Sequence, residues 1–272
     1  MENYIVIESS KKMKEIARAA LAGKWKAMAV GVFIYYIFSQ FIPSILDLFF
    51  SYEEEIELLT GEWITVKSSF ASSVYEFLLA GPLLLGMLMF LLAFFRKHTI
   101  DYALTFEGFS MLKKGILLYL MYAIRIFLWS LLLFIPGIIA TFRYSQAFYL
   151  RVDNPDWSSA KCLAESSRLM KGNKAKFFWL QLSFIGWYLL ASILGLFMTI
   201  FVEGDIQLLI AGAICSIPVL FVDLYLMMTE TVFYEILVGN LVVREESPFD
   251  QQYEQPLNQD VEAHVEEKTD DQ

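Results

Sequence analysis

Charged residues are missing from four long stretches of this chain, 27–46, 77–95, 177–202 and 206–222. Each stretch is 17 to 26 residues long and apolar on every helical face. An α-helix of about 20 apolar residues crosses a hydrocarbon core of ~30 Å, whereas a helix at the surface of a soluble protein keeps one polar face. The pattern predicts an all-α fold, a polytopic transmembrane helical bundle of about six spans. Two shorter segments are amphipathic. Over residues 9–26, Met13, Ile16, Ala17, Ala20 and Leu21 share one helical face and Lys11, Lys12, Lys14 and Arg18 lie off it, the pattern of an interfacial helix in the headgroup region. Over 153–176, Asn154-Pro155 or Ser158 can start a helix and Gly172-Asn173 can stop it. There Trp157, Ala160, Leu163, Ser167 and Met170 form the expected apolar face, with Lys161, Glu165 and Arg168 toward water.

Basic residues orient these spans, because cytoplasmic loops carry the excess of Lys and Arg. Lys24, Trp25 and Lys26 mark the inner start of span 1, about 27–47. Residues 51–76 carry six glutamates against Lys67 alone and form the outer loop. Span 2, about 77–95, returns to Arg96 and Lys97, and Lys113 and Lys114 keep the next loop inside. The apolar region from Gly115 to Val152 is the ambiguous one. A single crossing would leave the six basic residues of 151–176 outside. Proline removes a helix hydrogen bond and glycine allows a reversal, so Pro136 and Gly137 are the candidate turn between span 3 (115–135) and a short span 4 (138–152). The alternative is five spans. Span 5, about 177–202, ends at Glu203-Gly204-Asp205, and span 6, about 206–229, continues toward Asn240. Both termini then lie in the cytoplasm. The domain reading is an N-terminal amphipathic interfacial helix at 1–26, a transmembrane bundle at 27–243 with its inner segment 153–176, and a disordered acidic tail at 244–272.

Composition sharpens this picture. Hydrophobic residues make up 57% of the 272 and the mean hydropathy is +0.51, against about 45–50% apolar in soluble domains. The net charge of −9 belongs mostly to the tail, where ten acidic residues stand against Arg244 and Lys268. The body is close to neutral, so nucleic acid is not an expected partner. Two cysteines, Cys162 and Cys215, and two histidines, His98 and His264, offer too little for a disulfide framework, a metal site or a haem. No cleavable leader is expected, since the first 26 residues are polar and the following run has full spanning length. The motifs of nucleotide loops and nucleophile elbows do not occur. No catalytic, cofactor-binding or metal-binding residue is predicted, and no cofactor.

The candidate chemistry is therefore charge at membrane depth, which usually faces protein or a wet cavity because lipid exposure is expensive. Arg125 sits near the middle of span 3, Asp223 lies well inside span 6, and Arg143 and Asp153 bracket span 4. Arg125 and Asp223 form either a polar pathway or a pair that fixes packing. Pro82 and Pro218 can kink their spans, and Gly81, Gly86, Gly186, Ala191, Gly195 and Gly212 offer small surfaces for close helix approach.

The strings WSLLLFIPGIIATFRYSQAFYLRVDNP (129–155) and AESSRLMKGNKAKFFWLQLSFIGWYLLASI (164–193), with ARAALAGKW (17–25) and FYEIL (233–237), resemble the domain of unknown function 975 family. The resemblance covers roughly residues 10–240 and implies a multi-span bacterial plasma-membrane protein, with no reaction attached. The layout is also distantly similar to the membrane domains of some glycerophosphodiester phosphodiesterases, without their catalytic half. The expected function is a non-enzymatic membrane scaffold, assembly or envelope-homeostasis factor, whose partners are the lipid bilayer and other membrane proteins. The alternative is an ion or small-molecule transporter, or a permeation accessory, using Arg125 and Asp223.

Overall fold

A computed structural model describes residues 4–57, 61, 63–201 and 205–243. The expected acidic tail and the turn at Glu203-Gly204 lie outside these residues. By its contacts the chain divides into Met1–Leu241 and Val242–Gln272, and of the second unit only Val242 and Val243 are described.

The order of elements is α1 (Ser10–Leu21), α2 (Trp25–Tyr36), a π-helical turn at Ile37–Phe41, and α3 (Ile42–Phe50). Strands β1 (Tyr52–Glu57) and β2 (Trp63–Ser68) follow, paired antiparallel with Tyr52 opposite Ser68. The loop expected between spans 1 and 2 is thus a small hairpin. It is the departure from an all-α architecture among the described residues, and it fits the β-branched alternation of Ile64, Thr65 and Val66. After it come α4 (Phe70–Lys97), α5 (Leu104–Glu107), a 3-10 turn at Gly108–Met111, α6 (Leu112–Leu132), α7 (Phe134–Tyr144) and α8 (Ala147–Asp153). The chain closes with α9 (Ser159–Leu169), α10 (Lys174–Leu182), α11 (Ile185–Phe201) and α12 (Asp205–Leu237).

Five helices among the described residues are long and apolar enough to cross a membrane: Trp25–Phe50, Phe70–Lys97, Leu104–Leu132, Lys174–Ile193 and Ser216–Leu237. The expected span 4 is not one of them. Its residues form α7 and α8, separated by a turn at Ser145-Gln146. Ser166 of α9 holds that break, its hydroxyl accepting from Gln146 N (3.2 Å) and donating to Arg143 O (3.0 Å).

The reversal before α7 also differs in place from the expectation. The chain turns at Leu133, which is fully extended (φ −168°, ψ 154°), and Pro136-Gly137 lies inside the first turn of α7. A proline there forfeits no helix hydrogen bond, because the first N–H groups of a helix have no partner anyway. Gly137 instead lets α7 press onto α6, since a Cβ at Gly137 would lie 2.2 Å from Ser130 Oγ. With Tyr122 against Phe148 further along, α6 and α7–α8 form an antiparallel hairpin.

The middle of α4 is the core. Leu85, Met87, Phe90, Leu91 and Phe94 are fully buried. Its glycines explain the close neighbours: a Cβ on Gly86 would lie 2.0 Å from Thr105 O, and one on Gly81 would lie 2.4 Å from Gly115 O. Pro82 sits inside this helix and packs at the same level, its carbonyl against Gly108. By contrast Gly186 meets nothing within 4 Å, and Gly195 and Gly212 lie where only the helical backbone is described.

The two amphipathic helices behave differently from their sequence reading. Helix α1 does not keep its apolar face free: Met13, Ala17 and Leu21 are fully buried, with α1 packed on α12 and α10. Helix α9 starts from Ser158, which caps Lys161 N at 3.2 Å, and the chain turns at Gly172 (φ +92°). Its buried side is Ser159, Cys162, Leu163, Ser166 and Leu169, while Ala160 is exposed. Leu163 and Met170 of the expected face are buried, and the buried side extends to Ser166, which serves the α7–α8 break, and to Ser159, which accepts from Arg151 of α8. Arg168 bonds Glu165 at 2.6 and 2.9 Å and holds that carboxyl below the usual range.

Candidate functional site

Three helix ends converge on one ion cluster. Arg96 lies in the last turn of α4, Asp153 ends α8, and Glu235 lies in the last turn of α12. Helix C-termini carry partial negative charge, so two carboxylates placed there need a cation, and Arg96 supplies it. Its Nη1 and Nη2 grip Asp153 with both oxygens at 2.7 and 2.9 Å. Its Nε and Nη2 donate to one oxygen of Glu235 at 2.9 and 2.6 Å. Such a planar fork is what a guanidinium offers and an ammonium does not. Exposure decides where the cluster faces: the Arg96 side chain is 34% exposed, Asp153 21% and Glu235 3%. The cluster opens toward Arg96 and closes at Glu235.

An aromatic and hydroxyl layer backs it. Tyr234 donates to Asp153 Oδ2 at 2.7 Å and stacks on Tyr149 with ring centroids 4.7 Å apart. The Tyr149 hydroxyl in turn lies 3.2 Å from Thr231 Oγ1. The result is a continuous polar seam between α8 and α12, tied to α4.

A second arrangement lies along α12. Tyr188 of α11 donates to Asp223, and Gln181 Nε2 of α10 donates to Glu230 Oε1 at 2.7 Å. Residues 223 and 230 are seven apart and share a face of α12, while 181 and 188 lie on either side of the turn at Ser183-Phe184 between α10 and α11, so the two bonds sit about two turns apart along α12. Both carboxylates are therefore held by neutral donors.

Of the residues singled out in the sequence, Asp153 belongs to the ion cluster and Asp223 to the α11–α12 ladder. Arg125 joins neither. It stands over the Tyr144 ring at 5.8 Å, and its buried Nη1 finds no hydrogen-bond partner among the described residues. The Arg125–Asp223 pair weighed from sequence is not formed. Arg125 lies on α6, which packs on α4, α7 and α9, whereas α12 packs on α11, α1, α2 and α4. Arg143 contributes its backbone carbonyl to Ser166. Pro136 and Gly137 shape the hairpin contact described above. Gln181, Tyr188 and Tyr234 escaped sequence reasoning, and Arg96, Glu230 and Glu235 were not selected as site residues. The equal seven-residue spacings of 181/188 and 223/230 were the one signal available.

Chemically, the first cluster is a clasp with one cation and two anions, and the second holds two carboxylates able to take a proton or a cation. Among the described residues, no group of three or more His, Cys, Asp or Glu side chains is placed to hold a metal. No curated protein and no solved structure matches the chain. Residues 130–240, which contain Asp153, the ladder and Glu235 but neither Arg96 nor Arg125, match the family described as Protein of unknown function (DUF975), a match that supports membership of that family.

Proposed function

We propose that this is a multi-pass integral membrane protein of a bacterial plasma membrane, with the α7–α8 arm returning the chain after α6 so that both termini are cytoplasmic, that works without chemistry of its own as a scaffold or assembly factor. The carrying observation is the α6–α7 hairpin. Ile124, Phe127, Leu128, Trp129, Leu131 and Leu132 of α6 are all exposed, and so are Ile135, Ile138 and Ile139 of α7. An apolar face of that length is unstable in water and suits either lipid or the helices of another membrane protein. The hairpin's inner side is meanwhile fastened to the bundle through α9 and α4. Mass spectrometry of complexes cross-linked in intact membranes from photoreactive residues at 128 and 135 tests the role. A reproducible membrane-protein partner, lost from the probe at 135 when Leu128 and Leu131 are changed to Ala, is the expected result. Labelling by lipid alone refutes it. Impermeant thiol labelling tests the orientation, with a cysteine at Glu55 reactive in intact cells and one at the exposed Ala160 reactive only after permeabilisation.

One observation favours a transport reading in second place. Asp223 and Glu230 are held by neutral donors along a single helix face, an arrangement that suits a proton or cation path. Flux assays in proteoliposomes with Asp223→Asn and Glu230→Gln separate the two readings, since a scaffold shows no flux to lose.

A further inference from the structure

The first described residues form a non-helical strap whose exposure alternates from Ile5 to Glu8. Tyr4 (42%), Ile5 (55%) and Ile7 (71%) face out, while Val6 and Glu8 are 4% exposed. The strap is fastened at one place, the N-cap of α10. Asn173, itself fully buried, accepts from Val6 N at 2.9 Å and donates to Tyr4 O at 2.8 Å. Lys176 adds a bond to Ile7 O at 3.2 Å. Ile5 lies against Gly172, where a Cβ would sit 3.5 Å from its Cδ1.

Helix α10 opens the apolar segment Lys174–Ile193, and Phe178 and Trp179 are exposed one turn further in. On the membrane reading above, Asn173 therefore marks the level where this segment enters lipid, and the strap is held at that level. The surroundings are strongly basic. Over 4–26 and 165–176 there are ten Lys and Arg residues against Glu8, Glu15 and Glu165. Lys14 and Arg18 bond Ser183 O and the Tyr225 hydroxyl, whereas Lys11, 4.0 Å from Glu15 of its own helix, projects with an 88% exposed side chain.

We infer that this strap, with the basic faces of α1 and the start of α10, is a docking surface for anionic phospholipid headgroups of the bilayer the protein sits in. Ile5 and Ile7 enter the headgroup–acyl boundary, and Lys11, Lys12 and Lys174 lie over the phosphates. Apolar side chains flanked by lysine on one outward face have the composition of an interfacial anchor, and each basic residue near an anionic leaflet adds attraction that salt screens. The apolar face of α1 is spent on the protein, which leaves lipid contact to the strap.

The inference rests on the membrane reading, and the test keeps the two apart. Full-length protein is placed in nanodiscs of phosphatidylcholine alone or with about a third of the lipid replaced by anionic phosphatidylglycerol. Stable incorporation in phosphatidylcholine checks the membrane reading by itself. Amide hydrogen exchange over residues 4–12 is then followed by mass spectrometry. Exchange in the anionic discs is expected to be slower by roughly fivefold or more. The difference should shrink at 0.5 M salt (about a 4 Å screening length). It should also vanish in Lys11→Gln with Lys12→Gln, and in Ile7→Asp, whose exposed site leaves the fold intact. Asn173→Ala frees the strap from α10 and should raise exchange in both lipids. Equal exchange in the two discs, or slowing that survives in both Lys11→Gln/Lys12→Gln and Ile7→Asp, overturns the proposal.

Discussion

Arg96→Met is the perturbation that the ion cluster makes most informative. The change keeps the aliphatic stem and removes the one cation bonded to both Asp153 and Glu235. Taking away one member of a buried ion pair costs about 3–5 kcal/mol, because the other is left charged and unpaired. Asp153 is 21% exposed and retains the Tyr234 hydroxyl, so water and that bond soften its share. Glu235, 3% exposed at a helix C-terminus, carries most of the loss. The expected total is about 3 kcal/mol, the low end of the range because Arg96 itself is partly solvated. For a chain of this size that corresponds to a fall of roughly 6–12 °C in thermal midpoint, measured on detergent-solubilised protein. Arg96→Met with Glu235→Gln should recover at least half of the loss, since the stranded charge is gone. Arg96→Lys should fall between, because an ammonium does not reach both carboxylates with a planar fork. A fall of less than about 2 °C in Arg96→Met, or strictly additive losses in the double variant, refutes the clasp.

The remaining expectations are cheaper to check. Gly86→Ala places a methyl 2.0 Å from Thr105 O and should cost about 1–3 kcal/mol in the same thermal assay. Gly186→Ala, with open space around it, should be neutral or gain up to about 1 kcal/mol. Arg125→Leu and Asp223→Leu should act independently, their losses adding to within about 0.5 kcal/mol, and rescue in the double variant contradicts the packing described. Glu165→Gln should cost under about 0.5 kcal/mol at neutral pH. Because Arg168 lowers the Glu165 pKa, that contribution is fully present above the unfolded carboxylate range and disappears as pH falls through the lowered value. A cost that grows on acidification, followed by urea unfolding against pH, runs against the assignment.

Helix existence was largely legible in the sequence, and side-chain partnership was not. Uncharged runs long enough to span are visible without any neighbour, and four of them correspond to helical segments of the fold. Which charge meets which depends on helix rotation and on which helices adjoin, and a single sequence carries neither. Asp223 looked like a partner for Arg125 because both are charges in apolar helices. In the fold Asp223 is met by Tyr188 and Arg125 by the Tyr144 ring. Arg96 was read as a marker of a span end, which is correct as far as position goes. That two carboxylates far along the chain reach it follows only from three helix C-termini meeting. Pro136-Gly137 was the expected turn and lies inside α7, because breaking residues mark a turn only to within a helical turn. Here the extended residue is Leu133, which has no breaking character.

The deeper ambiguity is that periodicity marks a face as apolar without saying which phase covers it. Helices α1, α4 and α6 illustrate the three outcomes. Helix α1 has the one-sided pattern of a lipid-facing helix, yet Met13, Ala17 and Leu21 are covered by protein. Helices α4 and α6 are both apolar enough to cross a membrane, yet the middle of α4 is buried while α6 leaves Leu117, Ile124, Phe127 and Leu128 exposed. Hydropathy does not separate the two, because lipid and protein interior are alike in polarity. Small residues do. Gly81 and Gly86 on α4 bring two other backbone segments within reach of a missing Cβ, at Gly115 and Thr105, and these approaches hold α4 at the centre. Helix α6 has one such glycine, Gly115 at its start, and from there to Leu132 it is mostly bulky, its close approach to α7 being made at Ser130 through the glycine of the other helix, Gly137. The spacing of glycines, rather than the strength of the apolar signal, therefore distinguishes the central helix of this bundle from the one left facing outward.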